Sequence, residues 1–274
     1  MKKIGIFLCL IFLSLNINVK AITSPKIIAH GAVLINLNTG KFFFQKNSHS
    51  EYAPASTTKV MTALLTLEKC KLDEKVTIGK NPPFEEGSKI YLMEGEVLTV
   101  KQLLYALLLP SANDAALALA EHISGSKQAF ANLMNKRARK LGCRNTNFVN
   151  PNGLYDKNHF TSAYDLALIA AKAMKFSKFR EIVSTLSYKL AATNKQPLIR
   201  YLHNENKLLF SKVYKYSGAD GIKTGYTIKS KHTYIGAATR KGITLAVVLL
   251  YDEKGYYKEA ASLFDYGFKQ LIKK

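Results

Sequence analysis

The stretch PASTTKVMTALL (residues 54–65) sets a serine and, three positions later, a lysine at the start of an apolar run. Apolar residues recur at helical spacing after Lys59, which predicts a helix. Side chains three positions apart share a helix face, so the Lys59 amine can lie beside the Ser56 hydroxyl. Two interpretations of Ser56 are open at this point, a helix N-cap and a nucleophile with Lys59 as its base.

The Ser-x-x-Lys pair alone does not decide between these interpretations. At ordinary composition, about one such pair is expected by chance in a chain of this length. This chain has a second pair, Ser124 and Lys127, in a predicted loop between two helices, where it indicates turn chemistry. The first pair is distinguished by its place at the start of the helix that we expect to be central.

The predicted elements on either side of this helix change type along the chain. Residues 29–47 are typical of a β-hairpin around the turn NLNTG, residues 100–174 are mainly helical, and residues 232–251 form two strands joined at Lys-Gly. An amphipathic helix follows at 257–274; we expect it to pack on the sheet, and the alternative is that it lies on a membrane surface. Strands and helices grouped in this way indicate an α+β fold, in which the first hairpin joins the last strands in one antiparallel sheet. The helical stretch becomes a lobe, with a cleft between lobe and sheet.

Two further short motifs lie downstream. Ser-Ala-Asn at 111–113 opens a predicted helix, where Ser111 would be the N-cap and Asp114 would complete a relative of the capping box. Lys-Thr-Gly at 223–225 lies in a predicted strand, and its plain interpretation is a glycine that lets another backbone come close. Each motif is weak alone, but together they occur in an order that lets all three face one cleft.

Ser-x-x-Lys, Ser-x-Asn and Lys-Thr-Gly are the motif set of β-lactamases and penicillin-binding proteins. The chain resembles the low-molecular-weight penicillin-binding proteins, the serine-type D-alanyl-D-alanine carboxypeptidases, from about residue 27 to residue 270. The resemblance extends to the segments NTNFVNPNGL, TSAYDLALIA and DGIKTGYT. It implies a β-lactamase-like α+β fold, with a five-stranded antiparallel sheet flanked by helices, a helical lobe, and the active-site cleft between them.

The resemblance also assigns catalytic roles. Ser56 would be the nucleophile and Lys59 the general base, Ser111 would relay a proton to the leaving amine, and Asn113 would hold the substrate amide and the lysine amine. Lys59 can accept a proton only if its pKa is lowered from about 10.4 towards neutral pH. Burial and a second cation at Lys223 would both lower it.

A second group of residues would bind the substrate. Lys223 and Thr224 would bind the terminal carboxylate of the peptide, and the backbone N–H groups of Ser56 and Tyr226 would form the oxyanion hole. Gly225 would keep the strand open to close approach. Many relatives have histidine where this chain has Tyr226, and some use an arginine on the last strand that is missing here.

The expected activity is removal of the terminal D-alanine from peptidoglycan stem peptides through an acyl-enzyme, with covalent binding of penicillin. Two alternatives stay open. A class A β-lactamase would need a Glu that activates the deacylating water, but no Glu-x-x-x-Asn loop follows residues 111–113, and Glu181 and Glu205 lie in other contexts. A non-catalytic wall-binding protein that still recognises penicillin is the second alternative.

The first 21 residues resemble a secretory signal peptide, with two lysines, an apolar run and a short-residue cleavage site; an uncleaved anchor is the alternative. We therefore expect export to the periplasm or the extracellular face of the envelope. Residues 22–274 would be one catalytic domain, with a sheet subdomain at about 22–60 and 185–274 and a helical lobe at about 61–184. We expect no C-terminal β-domain.

The composition of the chain limits the kinds of binding partner that we expect. The chain has 40 Lys and Arg against 19 Asp and Glu, a formal charge of +21, which favours peripheral contact with anionic membranes or wall polymers. The chain lacks the aromatic-interleaved basic motif of nucleic-acid-binding proteins. Cys70 and Cys143 are expected to be free thiols, although pairing is open. Because the histidines show no metal-ligand spacing, we expect no metal and no cofactor.

Overall fold

The computed structural model describes residues 23–272, so the predicted signal peptide lies outside the described residues. Within this range, none of the helices has the length and apolar character that a membrane span requires. The strands are β1 (Gly31–Asn36), β2 (Phe42–Lys46), β3 (Lys75–Thr77), β4 (Val97–Thr99), β5 (Ser187–Leu190), β6 (Arg200–His203), β7 (Ala219–Thr227), β8 (Lys231–Arg240) and β9 (Ile243–Asp252). The helices are α1 (Lys59–Lys69), α2 (Val100–Leu108), α3 (Asn113–Ser124), α4 (Lys127–Lys140), α5 (Ala163–Ala173), α6 (Ser177–Ser184), α7 (Lys207–Phe210) and α8 (Tyr256–Ile272).

The main sheet has five antiparallel strands in the order β2-β1-β9-β8-β7. The prediction that the first hairpin joins the last strands is therefore confirmed, as is the α+β fold class. The first turn forms because Asn36 Oδ1 accepts hydrogen bonds from the amides of Asn38 at 2.9 Å and Thr39 at 3.2 Å. Strand β7, which carries the Lys-Thr-Gly motif, lies at one edge of the sheet, and β2 lies at the other.

Both faces of the sheet are buried, and β9 shows how. Val248 and Leu250 pack into the cluster formed with the helical lobe, whereas Val247 and Leu249 pack against α8 on the opposite face. This alternation is the two-residue period of a strand. Gly267 lets α8 approach closely, since a Cβ there would lie 2.7–2.8 Å from leucine side chains of the sheet. Helix α8 therefore covers one face of the sheet.

Helix α1 is the centre of the helical part. Its first eight residues, 59–66, are all buried, and it contacts five other helices, α2 to α6. Each large aliphatic side chain buried there contributes about 1.5–3 kcal/mol to stability. This burial makes α1 a rigid support for the residue at its N-terminus, Lys59.

The predicted helix cap at Ser111 is wrong. Helix α3 begins at Asn113 with Ala112 as its N-cap, without a side-chain cap hydrogen bond, and Ser111 has a positive φ of 64°. Asp114 instead accepts hydrogen bonds from the amides of Ile90 at 3.1 Å and Leu92 at 3.0 Å. The acid therefore anchors residues 90–92 to the start of α3, and Ser111 lies one position before the N-cap.

Candidate active site

Ser56 lies in a 3-10 turn, Ala55–Thr58, directly before α1. Thr58 is the N-cap of α1 and makes no side-chain cap hydrogen bond. The interpretation of Ser56 as the cap of this helix is therefore wrong. Its Oγ lies 2.9 Å from Lys59 Nζ, within hydrogen-bond distance.

The Lys59 side chain is fully buried, and its amine has three neighbours. Nζ lies 2.9 Å from Ser56 Oγ, 2.6 Å from Asn113 Oδ1 and 2.7 Å from the backbone carbonyl of Asn152. Burial holds the pKa of Lys59 well below its usual value, and the positive charge of Lys223 lowers it further.

These neighbours orient the amine when it is neutral. A neutral amine has two N–H groups and one lone pair. The oxygens of Asn113 and Asn152 can only accept, so they take both N–H groups. The lone pair is then left for Ser56, the one neighbour that can donate an O–H. The geometry thus suits proton transfer from the Ser56 hydroxyl to Lys59.

Asn113 is held in one orientation. Its Nδ2 donates to the carbonyl of Glu86 at 2.6 Å, and its backbone amide donates to the carbonyl of Ser88 at 2.6 Å. Because the amide nitrogen is bound to Glu86, Oδ1 is the atom that faces Lys59.

The backbone carbonyl of Asn152 accepts a hydrogen bond from the Lys59 amine, and no sequence motif predicted this contact. It belongs to the segment NPNG, residues 150–153, whose turn-forming residues are a signal of a tight loop and not of an amine-binding site. Gly153 has a φ of 92°, and a Cβ on it would lie 1.8 Å from the carbonyl oxygen of Ala55. Only glycine fits between the loop and the turn that carries Ser56.

His159 holds this loop against the turn that precedes α1. Its Nδ1 accepts a hydrogen bond of 3.1 Å from the amide of Val149, so in the neutral ring the proton lies on Nε2, which is 2.9 Å from Thr58 Oγ1. Burial lowers the pKa of His159 to about 4. The ring is therefore neutral at pH 7 and joins the loop to the start of α1.

We expect stability to fall by about 2 kcal/mol between pH 7 and pH 5 through this histidine. The folded pKa of about 4 lies below the ordinary value of 6.5, so the unfolded chain binds more protons in this window. The contribution is complete above pH 6.5 and is lost as the pH falls towards 4. Urea unfolding at both pH values measures it. A His159→Gln variant should lose less stability than the parent over the same range, and equal losses would contradict the assignment.

The Lys-Thr-Gly motif of β7 lies opposite Ser56. A Cβ on Gly225 would lie 2.8 Å from the Ser56 amide nitrogen and 2.4 Å from Thr233 Oγ1, so the strand passes directly beside the serine backbone. The Lys223 side chain is buried, with 1% exposed, and its Nζ donates to the carbonyl of Thr224 at 3.0 Å. Burial lowers the pKa of Lys223.

One cavity brings the motifs together. Five residues predicted for the site line it, namely Ser56, Ser111, Thr224, Gly225 and Tyr226. The other three, Lys59, Asn113 and Lys223, are buried beside it with less than a tenth of their surface exposed. The Ser124–Lys127 pair, in contrast, sits at the junction of α3 and α4, outside the cavity lining.

Glu205 also lines this cavity and was not predicted as part of the site. Its Oε2 accepts a hydrogen bond of 3.1 Å from Thr224 Oγ1 and lies 3.6 Å from Lys223 Nζ. Its negative charge partly offsets the lowering of the Lys223 pKa. Aromatic rings of Tyr226 and His232, with centroids 4.8 Å apart, form another part of the wall.

One group of side chains in the described part of the chain has donor atoms close enough to hold a metal ion. Cys70, Glu74 and His122 have them within 4.8 Å of one another, outside the lining of this cavity. Cys70 and Glu74 lie in the segment between α1 and β3, whereas His122 lies in α3, so sequence spacing alone did not bring the three together. His122 Nε2 and Glu74 already pair at 2.8 Å.

The alternative of a disulfide between the two cysteines is wrong, because Cys70 and Cys143 are free.

Known proteins are similar to this chain in sequence and in fold. Residues 18–254 match the peptidase S11 family, D-alanyl-D-alanine carboxypeptidase. The D-alanyl-D-alanine carboxypeptidase DacF of Bacillus subtilis is 37% identical over 88% of this chain, which spans 62% of the length of that protein. The D-alanyl-D-alanine carboxypeptidase of Streptomyces sp. strain K15 is 37% identical over 90% of each chain.

Solved structures of related proteins have a similar fold. The crystal structure of the Streptomyces K15 DD-transpeptidase superposes with a TM-score of 0.82 at 35% identity, covering 90% of this chain and 99% of that one. The D-alanyl-D-alanine carboxypeptidase DacD from Francisella tularensis gives a TM-score of 0.83 at 26% identity, over 90% of this chain and 72% of that one. The motifs, the five-stranded sheet and the match over residues 18–254 together show that this chain belongs to the peptidase S11 family of D-alanyl-D-alanine carboxypeptidases.

Proposed function

We propose that this protein is a serine D-alanyl-D-alanine carboxypeptidase, which removes the terminal D-alanine from peptidoglycan stem peptides through an acyl-enzyme on Ser56. The observation that carries the proposal is the buried Lys59 amine, 2.9 Å from Ser56 Oγ, with its pKa held well below the usual value. Membership of the S11 family supports the same activity.

In the proposed acylation step, the Ser56 hydroxyl gives its proton to Lys59 Nζ while Oγ attacks the carbonyl of the D-Ala–D-Ala bond. The carbonyl oxygen becomes an oxyanion. The backbone N–H groups of Ser56 and Tyr226 would donate to it, and the close passage of Gly225 beside the Ser56 amide supports this role. A donor of this kind contributes about 10²–10³-fold to the rate.

The tetrahedral intermediate then collapses. The C–N bond breaks, the leaving amine takes the proton from Lys59 through Ser111, and an ester on Ser56 remains. Asn113 would hold the substrate amide while its Oδ1 keeps the Lys59 amine in place. Water hydrolyses the ester, which releases the peptide shortened by one D-alanine and restores the Ser56 hydroxyl.

Lys223 and Thr224 would bind the carboxylate of the terminal D-alanine. A buried amine and a hydroxyl on the wall of the same cavity suit a carboxylate, because a charged hydrogen bond is stronger out of bulk water. A β-lactam would follow the same acylation path. Since its amine stays attached to the opened ring, it would remain on Ser56 as a covalent adduct.

Membership of a D-alanyl-D-alanine carboxypeptidase family supports substrates in the cell envelope. We further propose export to the periplasm or the outer face by the N-terminal signal, and peripheral contact with anionic lipids or wall polymers through the charge of +21. The division into a sheet subdomain at about 22–60 and 185–274 and a helical lobe at about 61–184 is part of this proposal.

Release of D-alanine from diacetyl-Lys-D-Ala-D-Ala tests the function directly. We expect steady release by the wild type, and release within about twofold of it by Ser124→Ala, because that serine lies outside the cavity lining. Coupled D-amino-acid oxidase detection measures it. No release above the blank, with penicillin labelling intact, would favour the non-catalytic wall-binding alternative. Rapid, burst-free nitrocefin turnover would favour a β-lactamase.

A further inference from the structure

Glu205 occupies the place where the terminal carboxylate of the proposed substrate would meet the protein. Its Oε2 is 3.1 Å from Thr224 Oγ1 and 3.6 Å from Lys223 Nζ. These are the two groups assigned above to the substrate carboxylate. A protein carboxylate therefore already fills the anion-binding position of the cleft.

The backbone of Glu205 is held firmly. Its carbonyl accepts a hydrogen bond of 3.0 Å from the Tyr257 hydroxyl. The next residue, Asn206, is buried, and its amide donates to Asn204 Oδ1 at 2.9 Å. The Glu205 side chain, in contrast, is 48% exposed. It can turn into solvent while the main chain stays in place.

The charges explain the position of Glu205 beside Lys223. The Lys223 side chain is 1% exposed, and a buried cation without a counter-ion is costly. Glu205 supplies the counter-ion. A substrate that ends in a carboxylate brings the same charge to the same cation, and two carboxylates on one site repel each other. One of them must leave, and Glu205 is the one with access to water.

We infer that Glu205 is a placeholder counter-ion, which pairs with Lys223 in the free protein and is displaced into solvent by the terminal carboxylate of the substrate. This inference rests on the proposed carboxypeptidase function. Glu205 then determines specificity, because it competes only with ligands that carry a carboxylate beyond the scissile bond. It weakens the binding of those ligands without taking part in bond breaking.

A matched pair of thioesters tests the inference. Both carry an N-acyl-D-alanyl group; one has thioglycolate as leaving group, with a free carboxylate, and the other has its methyl ester, without one. In Glu205→Gln, which keeps an oxygen for the Thr224 hydroxyl, we expect the KM for the carboxylate thioester to fall about tenfold, equivalent to about 1.4 kcal/mol, at similar kcat. The kinetics of the methyl ester should change less than about twofold. Glu94→Gln, at an exposed site outside the cavity lining, is the charge-matched control.

The pH profile of kcat/KM is a second measurement, and it would not shift if the role of Glu205 were purely structural. The pKa of Lys59 is lowered by burial and by Lys223, and raised by Glu205, Asp114 and Glu85; the pKa of Lys223 is lowered by burial and raised by Glu205. Loss of the Glu205 charge should therefore shift both limbs of the kcat/KM profile of the carboxylate thioester to lower pH. Glu94→Gln should leave both limbs in place.

The outcomes separate this inference from the proposed function. If the wild type hydrolyses neither thioester and is not acylated by penicillin, the carboxypeptidase proposal fails, and the placeholder role fails with it. If the wild type is active but Glu205→Gln raises the KM for the carboxylate thioester, or changes both thioesters equally, only the placeholder role is overturned.

Discussion

We expect Ser56→Ala to abolish acylation by penicillin, with a loss of roughly 10⁴-fold or more, because the substitution deletes the proposed nucleophile. Alanine has no oxygen to form the ester, and neither Lys59 nor the oxyanion donors can replace it. We expect the fold to survive, because the hydroxyl is only partly buried and makes one hydrogen bond with Lys59. Such a bond contributes about 1 kcal/mol.

Intact-protein mass spectrometry after incubation with benzylpenicillin measures this loss. Wild type and Ser124→Ala should each gain the mass of one penicillin, and Ser56→Ala should gain none. Circular dichroism of the variant checks that it is folded. An undiminished adduct on a folded Ser56→Ala protein would mean that another residue is the nucleophile.

We expect Lys59→Ala to lower the acylation rate by about 10³-fold, which is within the range of a general base. The substitution removes the amine that we propose takes the Ser56 proton. It also leaves Asn113 Oδ1 and the Asn152 carbonyl without their donor, at a cost of about 1–3 kcal/mol each. Stopped-flow acylation by a fluorescent penicillin measures the rate. Lys59→Met, which fills the volume of the lysine chain, should be equally slow, and this separates lost chemistry from a cavity.

The acid limb of the pH profile of kcat/KM gives a second test of Lys59 as the general base. As the proposed base, Lys59 would act only when neutral, so we expect activity to fall as the pH drops through its pKa. The charge of Lys223 lowers that pKa. Lys223→Ala should therefore move the acid limb to higher pH, besides weakening carboxylate binding. A limb that stays in place in Lys223→Ala would mean that another group governs it.

Local patterns predicted much of the fold and part of the site. The i, i+3 spacing of Ser56 and Lys59 follows from helix geometry, and their atoms lie 2.9 Å apart. The hairpin and the terminal strands were recognisable from turn residues and β-branched runs, and they pair in one sheet. The Lys-Thr-Gly glycine was expected at a close approach of two backbones, and it passes beside Ser56.

The remaining features depend on tertiary contacts that leave no local signal. Ser111 has the sequence context of a helix cap, but Asp114 binds amides of residues 90 and 92, and the helix starts at Asn113. Glu205 precedes the Lys-Thr-Gly motif by 18 positions, and only the path of the chain brings it to Lys223.

The third acceptor of the Lys59 amine, the Asn152 carbonyl, belongs to the main chain. Every amino acid carries that atom, so replacement of the residue 152 side chain cannot delete it. Its location is encoded instead by the course of the loop, above all by Gly153, whose missing side chain lets the loop lie against Ala55. A mutation that alters this contact with Lys59 would therefore be found at Gly153, which has no reactive side chain, and a search limited to reactive side chains would overlook it.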